Sequence, residues 1–108
     1  MMGGARFMNS HLDNVSFWCA DLSRADLRAK SLKNTNFTRA TLTDAIFTNA
    51  DLNGTNFKNA KLKRTDFLGA VNLNKKNFEG ACADEQPKFD PSVQMHFQPC
   101  GKQNQCPP

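Results

Sequence analysis

Large apolar side chains recur at every fifth position over the first two thirds of this 108-residue chain. They are Phe7, Leu12, Phe17, Leu22, Leu27, Leu32, Phe37, Leu42, Phe47, Leu52, Phe57, Leu62 and Phe67. An α-helix repeats its face every 3.6 residues and a β-strand every 2, so a period of five fits neither element alone. The pattern instead predicts short extended pieces separated by turns, with each large side chain pointing inward. Such an object is a solenoid.

A longer period of 20 residues lies on top of the period of five. Taking every fourth unit sorts the large residues into four columns, in which Leu-only columns alternate with Phe-rich ones. Phe17, Phe37 and Phe57 form the all-Phe column. This order predicts four sides per coil and stacking of like side chains about 4.8 Å apart. After Phe67 the spacing slips by one residue, and we interpret Gly69–Val71 as a one-residue bulge.

The repeated unit has a small residue two positions before each large one, as in Ala20-Asp21-Leu22 and Ala50-Asp51-Leu52. Runs of Ala-(Asp/Asn)-(Leu/Phe)-X-X from Ala5 to Ala83 resemble the pentapeptide-repeat family. The resemblance implies an all-β solenoid, a right-handed quadrilateral β-helix of about four coils, with the small and large residues inside. Lys30 departs from this pattern at a small inward position, and we expect its ammonium group to reach solvent.

The chain is expected to contain one repeat domain with two flanking segments. We assign residues 1–4 to an N-terminal extension, 5–84 to the β-helix and 85–108 to a C-terminal capping segment. Asp90-Pro91 predicts the start of one short capping helix, ended by Gln98-Pro99. The alternative is a strand, because apolar residues also alternate from Phe89 to Phe97. In either case the apolar side chains should cover the last coil.

Three of the four cysteines cluster near the C-terminus. The fourth, Cys19, lies three coils from Cys82, roughly 14 Å away, which exceeds the ~7 Å limit between bridged Cα atoms. We therefore expect a disulfide between two of Cys82, Cys100 and Cys106, with free thiols as the alternative. A zinc site using His96 is a further alternative, but the spacing of His96, Cys100 and Cys106 matches no compact zinc motif.

The cysteines also bear on localisation. If those at the C-terminus are oxidised, the protein belongs in a periplasm, a thylakoid lumen or a similar compartment, and otherwise in the cytoplasm. Many proteins of the family that the chain resembles occur in cyanobacteria. No apolar run approaches the ~20 residues of a membrane-spanning helix, so no span is expected.

A filled interior leaves only the outer sides and the two ends for function. Trp18 is the large aromatic residue expected to point outward in the repeat, and Trp is enriched among residues that dominate interfaces. The basic candidates at the corners are Arg24, Arg28, Lys33, Arg39, Lys58, Lys61, Lys63 and Arg64. The alternative for these residues is solvated charge that prevents association of sheet edges.

The sequence predicts no enzyme and no cofactor. His11 and His96 lie far apart along the chain, and neither is placed as the base of a nucleophile. We expect a structural or protein-interaction module whose partner is unknown. The alternative is an acidic partner, a nucleic acid or a membrane surface, bound through the basic corners.

The net charge of +4 is too small to favour nucleic acid. The resemblance also suggests binding of DNA gyrase by a DNA-like rod, but that role requires an acidic and longer chain. The N-terminal coil edge is a candidate surface for end-to-end self-association.

Overall fold

A computed structural model describes residues 12–107 of the chain. The predicted N-terminal extension at 1–4, the inward Phe7, His11 and the predicted N-terminal coil edge lie outside these residues. Within residues 12–107, no helix is long and apolar enough to cross a membrane.

Turns separate the short extended pieces at every fifth residue. In a representative turn, the carbonyl oxygen of Leu22 accepts the N–H of Ala25 at 3.0 Å, and Arg24 between them has a φ of 62°. A positive φ at the third residue alone is the signature of a type II turn, which favours Gly or Asn there. The positions with positive φ at this regular spacing are Asn14, Cys19, Arg24, Ala29, Asn34, Arg39, Asp44, Asn49, Gly54, Asn59, Arg64 and Gly69, and Asn72 and Gly80 follow after the spacing changes.

Parallel backbone bridges join each extended piece to the piece one coil later. The longest column of bridges runs through Asp21, Thr41, Lys61, Cys82 and Gln98. The other columns are Ser16–Asn36–Asn56, Asp26–Ile46–Asp66–Lys88 and Ser31–Asp51–Val71. Up to Val71 every bridge spans 20 residues, so the step predicted from the sequence is the register of the backbone.

The core consists of stacked side chains in the predicted columns. The rings of Phe17, Phe37, Phe57 and Phe78 follow one another with centroids 5.4, 5.2 and 4.7 Å apart and planes within 10°. A second stack contains Phe47, Phe67 and Phe89. The two stacks meet edge to face. The ring centroids of Phe37 and Phe47 are 5.5 Å apart, and the ring planes make an angle of 89°. Offset stacking within a column and T-shaped contact between columns are both favourable for aromatic rings.

Small inward residues complete the interior. Where Thr replaces Ala, its buried hydroxyl donates to a carbonyl of the preceding coil, as in Thr55 to Leu32 and Thr65 to Leu42, both at 2.7 Å. The hydroxyl is therefore satisfied without water. Lys30 at such a position is half-buried, and its carbonyl oxygen still accepts the N–H of the next coil at 2.9 Å.

The recurring Asp and Asn residues have a role in the turns that the sequence analysis missed. The carboxylate of Asp21 accepts the N–H of Ser23 at 3.1 Å, and the side chain of Asn36 accepts the N–H of Thr38 at 2.9 Å. The same contact is made by Asp26, Asp51, Asn56 and Asp66. A side-chain oxygen that bonds the backbone two residues on is the Asx turn, which explains why these residue types recur.

The extra residue lies later than predicted. The column ending at Val71 keeps the 20-residue step, whereas the bridge from Lys61 to Cys82 spans 21 residues. A 3-10 helix, Lys75–Phe78, occupies the interval between Val71 and Cys82. It rises about 2.0 Å per residue against about 3.3 Å in a strand, so it absorbs one residue within the same side. The bulge predicted at Gly69–Val71 is therefore misplaced.

The capping helix predicted after Asp90 is wrong. The N–H of Val93 donates to the carbonyl of Asp90 at 2.9 Å in a single turn, and the chain then extends to Gln98, which bridges Cys82. The carboxylate of Asp90 accepts the N–H of Gly69 on the solenoid wall, at 3.1 Å, rather than capping a helix. The strand alternative describes this segment better. The second 3-10 helix, Lys102–Asn104, follows near the C-terminus.

Gln86 holds the extended segment on the last coil. Its Nε2 donates to the carbonyl of Phe97 and its Oε1 accepts the N–H of Phe97, both at 2.9 Å. Phe97 is 6 % exposed, and its ring lies 5.8 Å from that of Phe78 at the end of the all-Phe column. The apolar residues of the tail thus cover the last coil.

Candidate interaction surface

The register distributes the predicted basic residues over all four sides of the solenoid. We name each side by a buried residue at its centre: the Phe17, Leu22, Leu27 and Leu32 sides. Arg39 and Lys58 share the Phe17 side with Trp18, and Arg24, Lys61, Lys63 and Arg64 lie on the Leu22 side. Arg28 is on the Leu27 side and Lys33 on the Leu32 side. The eight residues therefore surround the solenoid, and the four on the Leu22 side form their largest group.

Acidic neighbours occupy part of the Leu22 side. The guanidinium of Arg64 donates to both carboxylate oxygens of Asp44 at 2.8 and 2.9 Å and also contacts Glu85. Lys63 lies 3.7 Å from the same Glu85. The hydrogen bond from Arg64 lowers the pKa of Asp44, and the charge of Arg24 acts in the same direction. Arg64 is thus committed to two carboxylates of its own chain.

Two further basic candidates have distinct surroundings. Arg28 is paired with Asp26 through two contacts of 2.9 and 2.8 Å, and this hydrogen bonding raises the pKa of Arg28. Lys61 is half-buried, and its burial lowers the pKa of the ammonium group, although the charge of Asp21 opposes that shift. Arg28 is therefore exposed but paired with a carboxylate, and Lys61 is partly withdrawn from solvent.

Trp18 is the large exposed aromatic residue on the Phe17 side. Its side chain is 51 % exposed, and the register places Thr38 and Lys58 in line with it on the next two coils. The next residue along the chain, Cys19, forms a disulfide. Trp18 therefore points outward, as its place in the repeat predicts.

The C-terminal cysteines do not pair only among themselves. Cys82 pairs with Cys100, with 4.8 Å between Cα atoms, but Cys106 pairs with Cys19, with 5.8 Å between Cα atoms. The predicted disulfide between two of Cys82, Cys100 and Cys106 is thus confirmed as Cys82–Cys100. The exclusion of Cys19 was wrong, because it considered only the distance to Cys82 and treated the tail as a cap on the last coil. Residues 100–106, which we call the strap, instead run back along the solenoid and bring Cys106 down to the coil of Cys19.

The strap lies over one column of turns. This corner column consists of Cys19, Arg39, Asn59 and Gly80, the turn residues that follow the all-Phe column. Nε of Arg39 donates to the carbonyl of Gln103 at 3.2 Å. The Sγ of Cys106 lies 3.4 Å from the carbonyl oxygen of Arg39, a packing contact because an oxidised sulfur has no proton to donate.

Asn104 is the buried anchor of the strap. It is fully buried, and its Nδ2 donates to the carbonyl oxygens of Asn59 at 3.1 Å and Gly80 at 2.9 Å. Its Oδ1 accepts the N–H of Gly101 at 2.9 Å. The carboxylate of Asp84 accepts the N–H of Cys100 at 3.0 Å. No sequence motif indicated Asn104, because its partners lie far away along the chain.

A cleft of about 350 Å³ opens beside the strap at the C-terminal tip. Its apolar lining includes Phe78, Met95 and Phe97, and its polar lining includes Gln98 and Gln103. Within residues 12–107, no group of three His, Cys, Asp or Glu side chains could hold a metal ion. The four cysteines are oxidised and therefore offer no thiolate ligands.

Several solved structures are similar to this chain. Among solved structures, the chain is similar to a pentapeptide repeat protein from the Arabidopsis thaliana thylakoid lumen, with 21% identity, a TM-score of 0.42, and coverage of 77% of this chain and 63% of that one. It is similar to Rfr23 from the cyanobacterium Cyanothece 51142, with 25% identity, a TM-score of 0.38, and coverage of 77% and 55%. The chain thus spans less than two thirds of the length of either protein.

A third similar structure is HetL from the cyanobacterium Nostoc sp. strain PCC 7120, a pentapeptide repeat protein involved in heterocyst differentiation regulation. It is 27% identical, with a TM-score of 0.31 and coverage of 88% of this chain and 48% of that one. A search of curated protein sequences found no match. The family model described as pentapeptide repeats matches residues 1–28 and 31–69 with 8 copies, which is more than half of the chain. The chain therefore belongs to the pentapeptide-repeat family, whose members fold as right-handed β-helices.

Proposed function

We propose that this chain is a non-catalytic protein-interaction module that binds its partner through the Phe17 side, with Trp18 as the central contact residue. Within the described residues, we assign 12–84 to the rigid repeat and 85–107 to the segment that caps and straps it. Proteins of this family are generally structural or interaction proteins. The observation that carries the proposal is a Trp side chain, 51 % exposed, on a wall whose neighbouring coils are fixed by backbone hydrogen bonds.

The distribution of side chains supports a surface function over a pocket in the repeat. The interior is filled by Phe and Leu columns, including Phe37, Phe47 and Leu42, which are all 0 % exposed. An exposed indole on a rigid wall can bury a large area in a complex at little cost in side-chain entropy. Thr38 and Lys58, in line with Trp18, would form the polar border of such a contact.

The two disulfides favour an oxidising compartment. Disulfides persist in periplasmic, lumenal and extracellular proteins and are rare in the reducing cytosol. We propose that this module acts in such a compartment, of which the periplasm and the thylakoid lumen are two examples.

The test is affinity capture from host extract under non-reducing conditions. We compare the wild type with Trp18→Ala and with Val71→Ala, a matched control that is 50 % exposed on the Leu32 side. We expect one protein to be captured by the wild type and by Val71→Ala but lost with Trp18→Ala. Equal capture by all three variants would reject the Phe17 side as the binding surface.

Salt dependence tests the alternative of an acidic partner bound through the basic corners. A packed interface around Trp18 should retain binding between about 50 and 200 mM salt, whereas a complex with nucleic acid through several Lys and Arg residues weakens steeply over that range. A steep loss, together with insensitivity to Trp18→Ala, would favour the basic corners instead.

A further inference from the structure

The two disulfides differ in how much of each bond is exposed. Cys82 is 1 % exposed, so the Cys82–Cys100 bond is sheltered on one side by the last coil. Cys19, Cys106 and Cys100 are all half-buried, so the Cys19–Cys106 bond is the one without a fully buried cysteine. Because thiol–disulfide exchange requires a thiolate to reach a sulfur, access is one determinant of which bond reacts.

Burial also affects the leaving sulfur. Attack on Cys100 would expel the sulfur of Cys82 as a thiolate at a buried position. Burial disfavours the charged leaving group, so this sulfur leaves more slowly than one nearer to solvent. In the Cys19–Cys106 bond neither cysteine is buried to the degree of Cys82, so attack at either sulfur and departure of the other are less hindered.

From this asymmetry we infer that Cys19–Cys106 is a reversible redox modification site: a dithiol reductant opens it before Cys82–Cys100 and frees the end of the strap from the corner column. The solenoid remains folded when this happens. The inference does not depend on Trp18 binding a partner, since it concerns only the attachment of the strap.

The reaction is a two-electron exchange with a dithiol, either a protein with two vicinal cysteines or a small-molecule dithiol. One thiolate of the reductant attacks one sulfur of the pair, forming a mixed disulfide and releasing the other sulfur as a thiolate that takes up a proton. The second thiol of the reductant then displaces the remaining cysteine. The products are two protein thiols, at Cys19 and Cys106, and one oxidised dithiol.

The contacts of the strap show how far it would open. Cys82–Cys100 keeps its first residue attached, while Asn104 and the bond from Arg39 to Gln103 hold its middle. Among residues 12–107, none of the Phe stacks or backbone bridges involves Cys106. Opening the Cys19–Cys106 bond therefore removes the covalent attachment at one end of the strap. The rest of the strap is then held to the corner column only by hydrogen bonds, and it dissociates from that column far more often than in the oxidised protein.

The first experiment titrates the oxidised protein with dithiothreitol, blocks free thiols rapidly by alkylation and locates the label by peptide mass spectrometry. We expect Cys19 and Cys106 to be labelled at dithiol concentrations about tenfold lower than Cys82 and Cys100. Labelling of all four at the same concentration, or of Cys82 and Cys100 first, would overturn the inference.

The second experiment measures amide hydrogen exchange of the selectively reduced protein. The N–H groups of Asn104 and Gln105 bond to carbonyls within the strap, and we expect their exchange to accelerate at least about tenfold. The N–H of Phe37, bonded to the next coil, should keep its rate. Unchanged exchange of Asn104 and Gln105 would show that the strap stays closed, and faster exchange of Phe37 would show that the bond holds the solenoid itself.

The variants Cys19→Ser/Cys106→Ser and Cys82→Ser/Cys100→Ser form a matched pair. We expect only the first to reproduce the exchange pattern of the partly reduced wild type. Since the wild type itself is reduced and measured, the inference remains testable even if a variant fails to fold.

Discussion

The carboxamide of Asn104 donates from Nδ2 to the backbone carbonyl oxygen of Asn59 at 3.1 Å, across 45 positions of sequence. The same nitrogen donates to Gly80, so one side chain spans two coils of the corner column. Asn104 is fully buried although it belongs to a short C-terminal segment. These hydrogen bonds fix the strap in one position. Any displacement of the strap would leave the buried polar atoms of the Asn104 side chain unpaired.

Replacing Asn104 should therefore loosen the strap. We expect Asn104→Ala to lower the free energy of unfolding by about 1–3 kcal/mol, because it leaves the carbonyls of Asn59 and Gly80 without this donor. Urea denaturation of the oxidised protein measures the change. The control is Gln103→Ala, since Gln103 is exposed and accepts only through its backbone. Equal midpoints for the two variants would contradict the role of Asn104 as an anchor.

The hydroxyl of Thr55 should contribute through its bond to the preceding coil. Thr55→Val keeps the shape but removes the donor to Leu32, and we expect a loss of about 1 kcal/mol. The loss is limited because the carbonyl of Leu32 also accepts the N–H of Thr35. Thermal unfolding of Thr55→Val is compared with that of Thr43→Val, an outward position. If the outward variant is equally destabilised, the hydroxyl bond is not the cause.

Gly54 should not tolerate a side chain. Its φ is +73°, and a Cβ there would collide with Oδ1 of Asn34 on the preceding coil. We expect Gly54→Ala to cost about 1–2 kcal/mol, mostly from the left-handed backbone conformation. Gly101 has a φ of −143°, so Gly101→Ala is the matched substitution and should be nearly neutral. Chemical denaturation measures the free energy of unfolding of both variants. Similar losses of stability in Gly54→Ala and Gly101→Ala would argue against the backbone conformation of Gly54 as the cause.

The all-Phe column should be sensitive to truncation at its centre. Phe57 is 1 % exposed between Phe37 and Phe78, and we expect Phe57→Ala to cost about 3–5 kcal/mol. Phe57→Leu should cost about 1.5 kcal/mol or less, because Leu fills the equivalent place in other columns. Trp18→Ala, on the surface, should stay within about 0.5 kcal/mol of the wild type. Urea unfolding of the three variants measures these changes in the free energy of unfolding. A loss for Phe57→Ala well below the expected range would mean that the column is not close-packed.

Stability should fall at acid pH. The pKa values of Asp21, Asp44 and Asp51 lie below their ordinary value of 3.8, mainly because each accepts hydrogen bonds, from Ser23, Arg64 and Asn72 respectively. A carboxylate whose folded pKa is lowered contributes stability that is fully present above its unfolded pKa. That stability is lost as the pH falls through the folded pKa.

We therefore expect the melting temperature to decrease progressively below about pH 4. Asp44→Asn should flatten part of that decrease, since Asn tolerates the positive φ of 58° at this corner but does not titrate in this range. The contribution of Asp44 should be small and reduced by salt, because the Arg64 pair is exposed. A melting profile for Asp44→Asn with the wild-type slope would exclude the Asp44–Arg64 pair as a source of the pH dependence.

The repeat could be predicted because its signal is local and is restated in every unit. Phe78 continues the all-Phe column by stacking on Phe57, although the inserted residue makes this step one residue longer than the period. The type II turns were also readable in principle, since Asn14, Asn34 and Gly54 share the position that needs a positive φ. The roles of Asp and Asn in Asx turns belong to the same class of local signal.

The C-terminal segment could not be predicted in the same way because its partners are distant. Asp90-Pro91 has the local features of a helix start, yet the carboxylate of Asp90 bonds to Gly69 and the segment extends. The local preference of Asp90-Pro91 for starting a helix contributes less here than the contacts that the extended segment makes with the last coil. The pairing of Cys19 with Cys106 depended on a path along the solenoid that only these contacts specify. Of the candidate site, the outward position of Trp18 was predictable, but the pairing of Arg64 with Glu85 was not.

The strap also acts as a length gauge. Cys106, at the end of the strap, is bonded to Cys19. Cys19 and Gly80 are three coils apart in the corner column, roughly 14 Å at the spacing of stacked strands. Inserting one more 20-residue coil would preserve every column of the core yet carry Cys19 about 4.8 Å farther from the anchored Asn104. The core alone would accept further coils, and the seven residues of the strap thus fix the number of coils between Cys19 and Gly80.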